Sequence, residues 1–275
     1  MFADEIQKML TSMTEIIEAL GQNSGLLSSL DEWNSQLSSY AQAINSGVVK
    51  PLAYTVLALF ILLELYNTTQ RMAAGPGSNT YGIQQVAVVM IKFVLCKLAI
   101  DYSYDIVNTL FAVSGQITRG IAAYVGSGQV EAGLDIDSVM AGLETGWTAQ
   151  ISAWSSMQIA TVVLHFLSIA VNTIVAARFV ELYLYTALAA LPITTFCNQE
   201  LHGIGLNFLK SYMAVSIQGA LLYLVIGFFP ALYASLGQAG NDLTSQAWAL
   251  VGQTFILALA ALSTGKWARS ICNAM

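Results

Sequence analysis

The chain has 275 residues, of which 56% are hydrophobic and only 9% are charged. Soluble domains carry about 25% charged residues, so this composition excludes an ordinary soluble protein and indicates a protein of the lipid bilayer. The formal net charge of −6 argues against tight nucleic-acid binding by the chain alone, because phosphate binding needs a basic surface. Since the long apolar runs do not alternate as barrel strands do, we expect an all-α, polytopic helical membrane protein.

Residues 1–49 form an amphipathic region ahead of the first membrane span. Apolar residues recur three or four apart in residues 2–20, and a weaker repeat of the same period follows Gly25. These patterns predict amphipathic helices that lie on the membrane surface or dock on a partner. The acidic residues of the first helix disfavour an anionic lipid surface, so docking on a partner or packing on the membrane bundle is favoured.

The first two transmembrane helices are predicted in residues 50–113. The first begins at Lys50–Pro51, where proline suits a helix start, and its apolar run ends at Tyr66. The second begins at Ile83 and contains four charged residues inside an otherwise apolar run. They are Lys92, Lys97, Asp101 and Asp105.

The four charges of the second span are unusual at membrane depth. Each charge there costs about 2.5–3.5 kcal/mol on insertion scales, so such residues usually face a bundle interior or water. Lys97 and Asp101 are four residues apart, which places them on one helical face, and Asp105 continues that face. Two interpretations stay open: the charges line a lumen or a subunit contact, or the helix pairs its own charges while its lysines reach toward the interface.

The rest of the chain divides into a loop, a second membrane bundle and a tail. Residues 114–154 are rich in glycine and acidic residues and predict an exterior loop. Its end is marked by Trp147 and Trp154, since tryptophan is enriched at membrane interfaces. Residues 155–265 predict a C-terminal membrane bundle, and residues 266–275 predict a cytoplasmic tail.

Two apolar runs of that bundle meet at a charged junction of Arg178 and Glu181, and Pro192 interrupts the second run. Basic residues of short loops mark the cytoplasmic side. Six full spans would divide these basic residues between both sides, whereas a re-entrant segment at 180–197 leaves five spans and gathers them in the cytoplasm. The sequence therefore predicts about five transmembrane helices and one re-entrant segment, with an exterior N-terminus and a cytoplasmic C-terminus. The basic residues concerned are Arg71, Arg178, Lys210, Lys266 and Arg269.

The sequence shows no catalytic or metal-binding constellation. His165 and His202 have no carboxylate or cysteine partner at a diagnostic spacing, and no phosphate-binding GxxxxGK[ST] motif occurs. The three cysteines are far apart in the sequence and are interpreted as packing residues. We therefore expect no enzyme activity and no cofactor.

The stretch ARFVELYLYTALAALPITTF, residues 177–196, carries a resemblance to a known family. Together with the acidic amphipathic N-terminal region, the polar second span and the glycine-rich loop, it resembles the TrbL-type polytopic inner-membrane component of conjugative type IV secretion systems. This is the sixth component of the VirB class. The resemblance covers most of residues 50–265 and is closest to the compact version found in mobile elements of Gram-positive bacteria.

The resemblance implies a homo-oligomer in the cell membrane, at the inner-membrane base of a translocation channel. Its partners would be the lipid bilayer and the other membrane subunits and ATPases of the system. Its transient substrate would be single-stranded DNA with a covalently attached relaxase. The alternative is a small-solute transporter or permease subunit. A transporter is expected to show a repeated pair of broken helices, and the sequence shows one clear broken segment, at Pro192.

Overall fold

The structure is a computed structural model that describes residues 24–73, 79–127, 147–228 and 243–274, with runs of one to three residues before residue 20. All regular elements in these ranges are helical, which confirms the all-α class. The helix predicted over residues 2–20 lies largely outside the described residues. Residues 128–146 of the predicted loop and residues 229–242 also lie outside them.

The helices before residue 128 follow one another closely. A π-helical turn, Asn45–Val49, joins the second helix to the third without a break, and Tyr102 alone separates the fourth from the fifth. In chain order the elements are a 3₁₀ turn at Ser24–Leu26, then α1 (Leu30–Trp33), α2 (Ser35–Ile44), α3 (Lys50–Ala73), α4 (Asn79–Asp101) and α5 (Ser103–Ser127).

The helices after residue 146 include one of 42 residues, about twice the length that a bilayer span needs. It ends one residue before a short helix that contains Pro192, and a 3₁₀ turn follows that short helix. In chain order the elements are α6 (Trp147–Leu188), α7 (Ala190–Thr194), the 3₁₀ turn (Thr195–Cys197), α8 (His202–Gly227) and α9 (Leu243–Ile271).

Three stretches of the described helices are long and apolar enough to cross a membrane. They are Ser35–Gln70, Trp154–Leu188 and His202–Gly227. This finding agrees with a membrane protein, while the predicted number of five spans is not confirmed.

The second predicted span differs from the expectation, because it is split into α4 and α5. The Nζ of Lys50 donates to the carbonyl oxygen of Asp101 at 2.6 Å, and a side chain that bonds into the helical ladder is a known cause of an interruption. After the interruption α5 continues through residues 114–127, which the sequence assigned to the loop. The helix extends this far because Val113, Ile117 and Ile121 recur four residues apart and give it an apolar face.

The described helices form two compact units. The first unit comprises residues 1–28, 115–178 and 217–268. Its buried side chains come from α5, α6, α8 and α9, among them Leu164 and Leu222, which are fully buried. Arg178, at the α6 boundary of this unit, is also buried, with 4% of its surface exposed.

The second unit comprises residues 29–114, 179–216 and 269–275. Within it α3 and α4 form an antiparallel hairpin, and α7 packs against both of these helices. The N-terminal α1 is held on the last part of α6 by aromatic contacts. The ring of Trp33 stacks on Phe179 with centroids 4.7 Å apart, and the hydroxyl of Tyr183 donates to the carbonyl of Leu30 at 2.6 Å.

Candidate functional site

The charged residues of the second predicted span lie in the α3–α4 hairpin and its continuation into α5. Lys92 pairs with Glu64 of α3, with 3.6 Å between Nζ and Oε1. The Glu64 side chain is only 9% exposed, whereas that of Lys92 is 34% exposed. The pair therefore neutralises a buried carboxylate across the hairpin and not along one helix.

Asp101 lies at the end of α4 and accepts hydrogen bonds from two residues of α3, the other helix of the hairpin. Its carboxylate accepts a hydrogen bond from the hydroxyl of Tyr54, and its carbonyl accepts one from Lys50. No ion pair joins Lys97 to Asp101 in the part of the chain that the structure describes. The intrahelical pairing that their spacing allowed is therefore not formed in this single chain.

Lys97 and Asp105 are exposed on the outer surface of α4 and α5. The structure thus separates the four predicted charges into two that are engaged inside the hairpin and two that are exposed. The sequence did not identify the partners of the engaged ones, Glu64, Lys50 and Tyr54, because they lie on another helix. An antiparallel register of the two spans was the available signal, since it brings Glu64 to within one residue of Lys92 once Tyr54 is opposite Asp101.

Asn45 forms a buried polar centre in the second unit, with 1% of its surface exposed. Its Nδ2 donates to the carbonyls of Thr186 at 3.1 Å and of Ala187 at 3.2 Å. These carbonyls belong to the last turn of α6, where the helix has no further backbone donors. The Oδ1 of Asn45 accepts from the hydroxyl of Ser103 at 3.4 Å. Nothing in the sequence marked this residue, because its partners are more than 50 positions away.

The predicted junction residue Arg178 lies against Gly219 of α8, in the first unit. A Cβ at position 219 would come within 2.0 Å of Nη1 and 2.4 Å of Cζ of Arg178. A side chain at position 219 would therefore force the guanidinium to move from its present place. From the sequence, Arg178 was a charged residue at the junction of two apolar runs. In the structure it lies within α6, where its side chain is buried against α8.

The other junction residues, Glu181 and Pro192, lie in the second unit. Glu181 pairs with Arg269 of the C-terminal tail, with 3.5 Å between Oε1 and Nη2. The carbonyl of Pro192 accepts from the hydroxyl of Thr195 at 2.7 Å, which helps to close the chain into the 3₁₀ turn. Cys197, the last residue of that turn, lies beside Cys96 of α4.

The described residues contain no group of three or more His, Cys, Asp or Glu side chains placed to hold a metal ion. His165 and His202 each face a backbone carbonyl of their own segment, of Thr161 at 2.8 Å and of Gln199 at 2.7 Å. The arrangement of engaged charges and buried polar side chains is suited to holding helices together.

The comparisons with known proteins decide the family. The profile of a family described as TrbL/VirB6 plasmid conjugal transfer like protein matches residues 12–190, which is well over half of the chain. The chain belongs to the TrbL/VirB6 family. This membership confirms the resemblance drawn from the sequence. No match was found among curated proteins or among solved structures.

The TrbL/VirB6 match includes the N-terminal amphipathic region from residue 12 onward, the α3–α4 hairpin, and α6 with Arg178 and Glu181, whereas Pro192 lies just beyond it. It ends at residue 190, so the part of the resemblance that extended to residue 265 has no support from the match. TrbL/VirB6 proteins form a family of structural conjugation components and are not known as enzymes.

The contacts of the second unit constrain the membrane topology of this TrbL/VirB6 member. The charge rule placed residues 1–49 outside the cell and the segment 180–197 at the cytoplasmic side. The hydroxyl of Tyr183, in this segment, bonds to the carbonyl of Leu30 in α1. The start of the segment 180–197 therefore lies beside the N-terminal region within the second unit.

Proposed function

We propose that this chain is a structural membrane subunit of a conjugative type IV secretion system. It contributes to the inner-membrane base through which single-stranded DNA and its covalently attached relaxase pass. The family match over residues 12–190 is the observation that carries the proposal. The apolar stretches long enough to cross a bilayer support residence in the membrane, and the ATPases of the system supply the energy for transfer.

The proposed subunit acts as a homo-oligomer and with other membrane subunits of the system. Support comes from Lys97 and Asp105, which are exposed on helices with strongly apolar surfaces around them. Charges next to lipid are costly, and such residues face protein or water in membrane proteins. Neighbouring subunits or a water-filled lumen would cover both charges, whereas Lys92 and Asp101 are engaged within the chain.

The proposed orientation keeps the C-terminal tail in the cytoplasm. Because Glu181 pairs with Arg269 and Phe179 stacks on Trp33, the tail, the end of α6 and α1 share one side in the second unit. The positive-inside rule assigns a side that carries Arg269 to the cytoplasm. We therefore place the region around Trp33 at the cytoplasmic side, which replaces the exterior N-terminus expected from the sequence.

An in-frame deletion of this gene in a donor cell tests the proposed function. We expect the transfer frequency of the mobile element to fall to background and to recover when the intact gene is supplied in trans. Nicking of the element by its relaxase should be unchanged, because that step precedes transport. Normal transfer from the deletion strain would contradict the proposal and favour the small-solute transporter. The uptake of small solutes by the deletion strain would then be compared with that of the parent strain.

A further inference from the structure

We propose that the second unit contains an articulated joint, a level at which three consecutive helical segments are interrupted together. The three interruptions are the π-helical turn Asn45–Val49, the single residue Tyr102 between α4 and α5, and Ala189 between α6 and α7. We call these residues the joint. The joint itself is inferred from the structure alone, whereas its use in DNA transfer rests on the proposed function.

One side chain connects all three interruptions. Asn45 begins the π-helical turn and accepts from Ser103, next to Tyr102, at 3.4 Å. It also donates to the carbonyls of Thr186 and Ala187, which lie three and two residues before Ala189. Three helices that are interrupted at unrelated heights would not share a polar residue in this way. The interruptions therefore lie at one level of the unit.

The backbone groups that the interruptions release have side-chain partners at the same level. The carbonyl of Asp101 accepts from Lys50, and the last carbonyls of α6 accept from Asn45. In a membrane, broken helices are tolerated where neighbouring side chains satisfy the released groups. A side-chain donor can rotate to follow its carbonyl acceptor, so such a hydrogen bond can persist when the angle between two helical segments changes. The backbone i→i−4 hydrogen bonds of a regular helix would break in the same change.

The parts on either side of the joint are held by different contacts. On one side α3, α4 and α7 pack together, and Glu64 pairs with Lys92 across the hairpin. On the other side Phe179 of α6 contacts Trp33 and Phe111 of α5, with ring centroids 4.7 Å and 6.2 Å apart. Each part therefore has its own packing, and hinges of this kind lie at element ends that absorb the backbone change.

The π-helical turn has the composition of a flexible element. π-Helical turns inside helices are rare and are frequently found at functional sites. Gly47 lies in the middle of this turn, and glycine is the least favourable residue in a helix after proline. A Cβ at Gly47 would meet nothing within 4 Å, and no described glycine has a positive φ. Neither the available space nor the backbone conformation therefore requires glycine at position 47. Its effect is to lower the helical stability of the turn.

Amide hydrogen exchange of the full chain in lipid nanodiscs tests the joint. We expect the amides of residues 45–50, 102–104 and 188–190 to exchange faster than those one turn away on either side of each interruption. Gly47→Ala should slow exchange at residues 45–50 about fivefold, as the higher helix propensity of alanine predicts. Gly120→Ala is the matched control: a Cβ there also meets nothing within 4 Å, and exchange at the joint should not change.

A second variant and a functional measurement complete the test. Asn45→Ala should speed exchange at residues 188–190 while the interior of α4 keeps its protection, and mating assays should show a lower transfer frequency for Gly47→Ala than for Gly120→Ala. Uniform protection across the three interruptions would overturn the joint. Slower exchange in Gly47→Ala with unchanged transfer would overturn its use in transport. A gene deletion without effect on transfer would refute the proposed function and leave the exchange result standing.

Discussion

Replacing Gly219 by alanine tests directly whether the buried Arg178 side chain needs the space beside this glycine. The new Cβ would lie 2.0 Å from Nη1 and 2.4 Å from Cζ, far inside van der Waals contact. Because Arg178 is only 4% exposed, its guanidinium has no open solvent to move into. Overpacking of this kind costs about 1–3 kcal/mol, which corresponds to a fall in melting temperature of about 2–12 °C at 2–4 °C per kcal/mol.

Thermal unfolding of the purified protein in detergent measures this effect. The matched control is Gly252→Ala, in the same unit, where a Cβ would meet nothing within 4 Å. That control should leave the melting temperature unchanged or raise it slightly, since alanine is the better helix former. The comparison separates the lack of space at Gly219 from any general effect of a glycine substitution.

A double-mutant cycle with Arg178→Met shows whether the clash is with this side chain. If it is, the cost of Gly219→Ala should be smaller in the Arg178→Met background, and the two costs should be non-additive by about 0.5–3 kcal/mol, as for residues in contact. Equal melting temperatures of Gly219→Ala and Gly252→Ala would refute the reasoning. Strict additivity with Arg178→Met would refute it as well.

The remaining predictions concern the hairpin pair, the tail and the N-terminal region. Lys92→Leu should lower stability by about 1–3 kcal/mol, since it leaves the buried Glu64 carboxylate without its partner. The double variant Glu64→Leu/Lys92→Leu should be nearer the wild type; a double variant that melts below Lys92→Leu would contradict this. Burial raises the pKa of the Cys272 thiol. An impermeant maleimide should therefore label it more slowly than a free cysteine at pH 7, with the difference closing as pH rises and the thiolate forms. Cys272 labelling in intact cells, without permeabilisation, would contradict a cytoplasmic tail, and loss of the signal in Cys272→Ser identifies the labelled thiol, because Cys96 and Cys197 are buried. Deleting residues 2–20 should leave membrane insertion intact and weaken co-purification of partner subunits; loss of insertion would contradict their role in docking.

Composition and hydrophobic pattern predicted the all-α membrane class, because both are properties of each segment by itself and do not depend on which segments pack together. A helix over the apolar run from Lys50 to Tyr66 also follows from the sequence, although α3 continues to Ala73 and is joined to α2 by the π-helical turn. The family followed from the stretch around Arg178 together with the layout of the chain, and the match over residues 12–190 agrees.

The partners of the charged residues could not be predicted, because they depend on which helices pack together. Lys97 and Asp101 have the spacing of an intrahelical pair, yet Asp101 is engaged by Tyr54 of α3. The interruption at Tyr102 likewise depends on Lys50, which is more than 50 positions away in the chain. The sequence also did not show that α6 continues through Arg178 or that Gly219 lies against its side chain, because both depend on how the helices pack.

Recovery of the transferred strand with this protein during mating tests the central claim most directly. Donor cells that carry a tagged copy are treated with formaldehyde during transfer, the protein is purified, and the bound DNA is quantified. We expect enrichment of the transferred strand of the mobile element over other donor DNA, and loss of that enrichment in a donor without relaxase. No enrichment in cells that transfer normally would contradict a role in the DNA path.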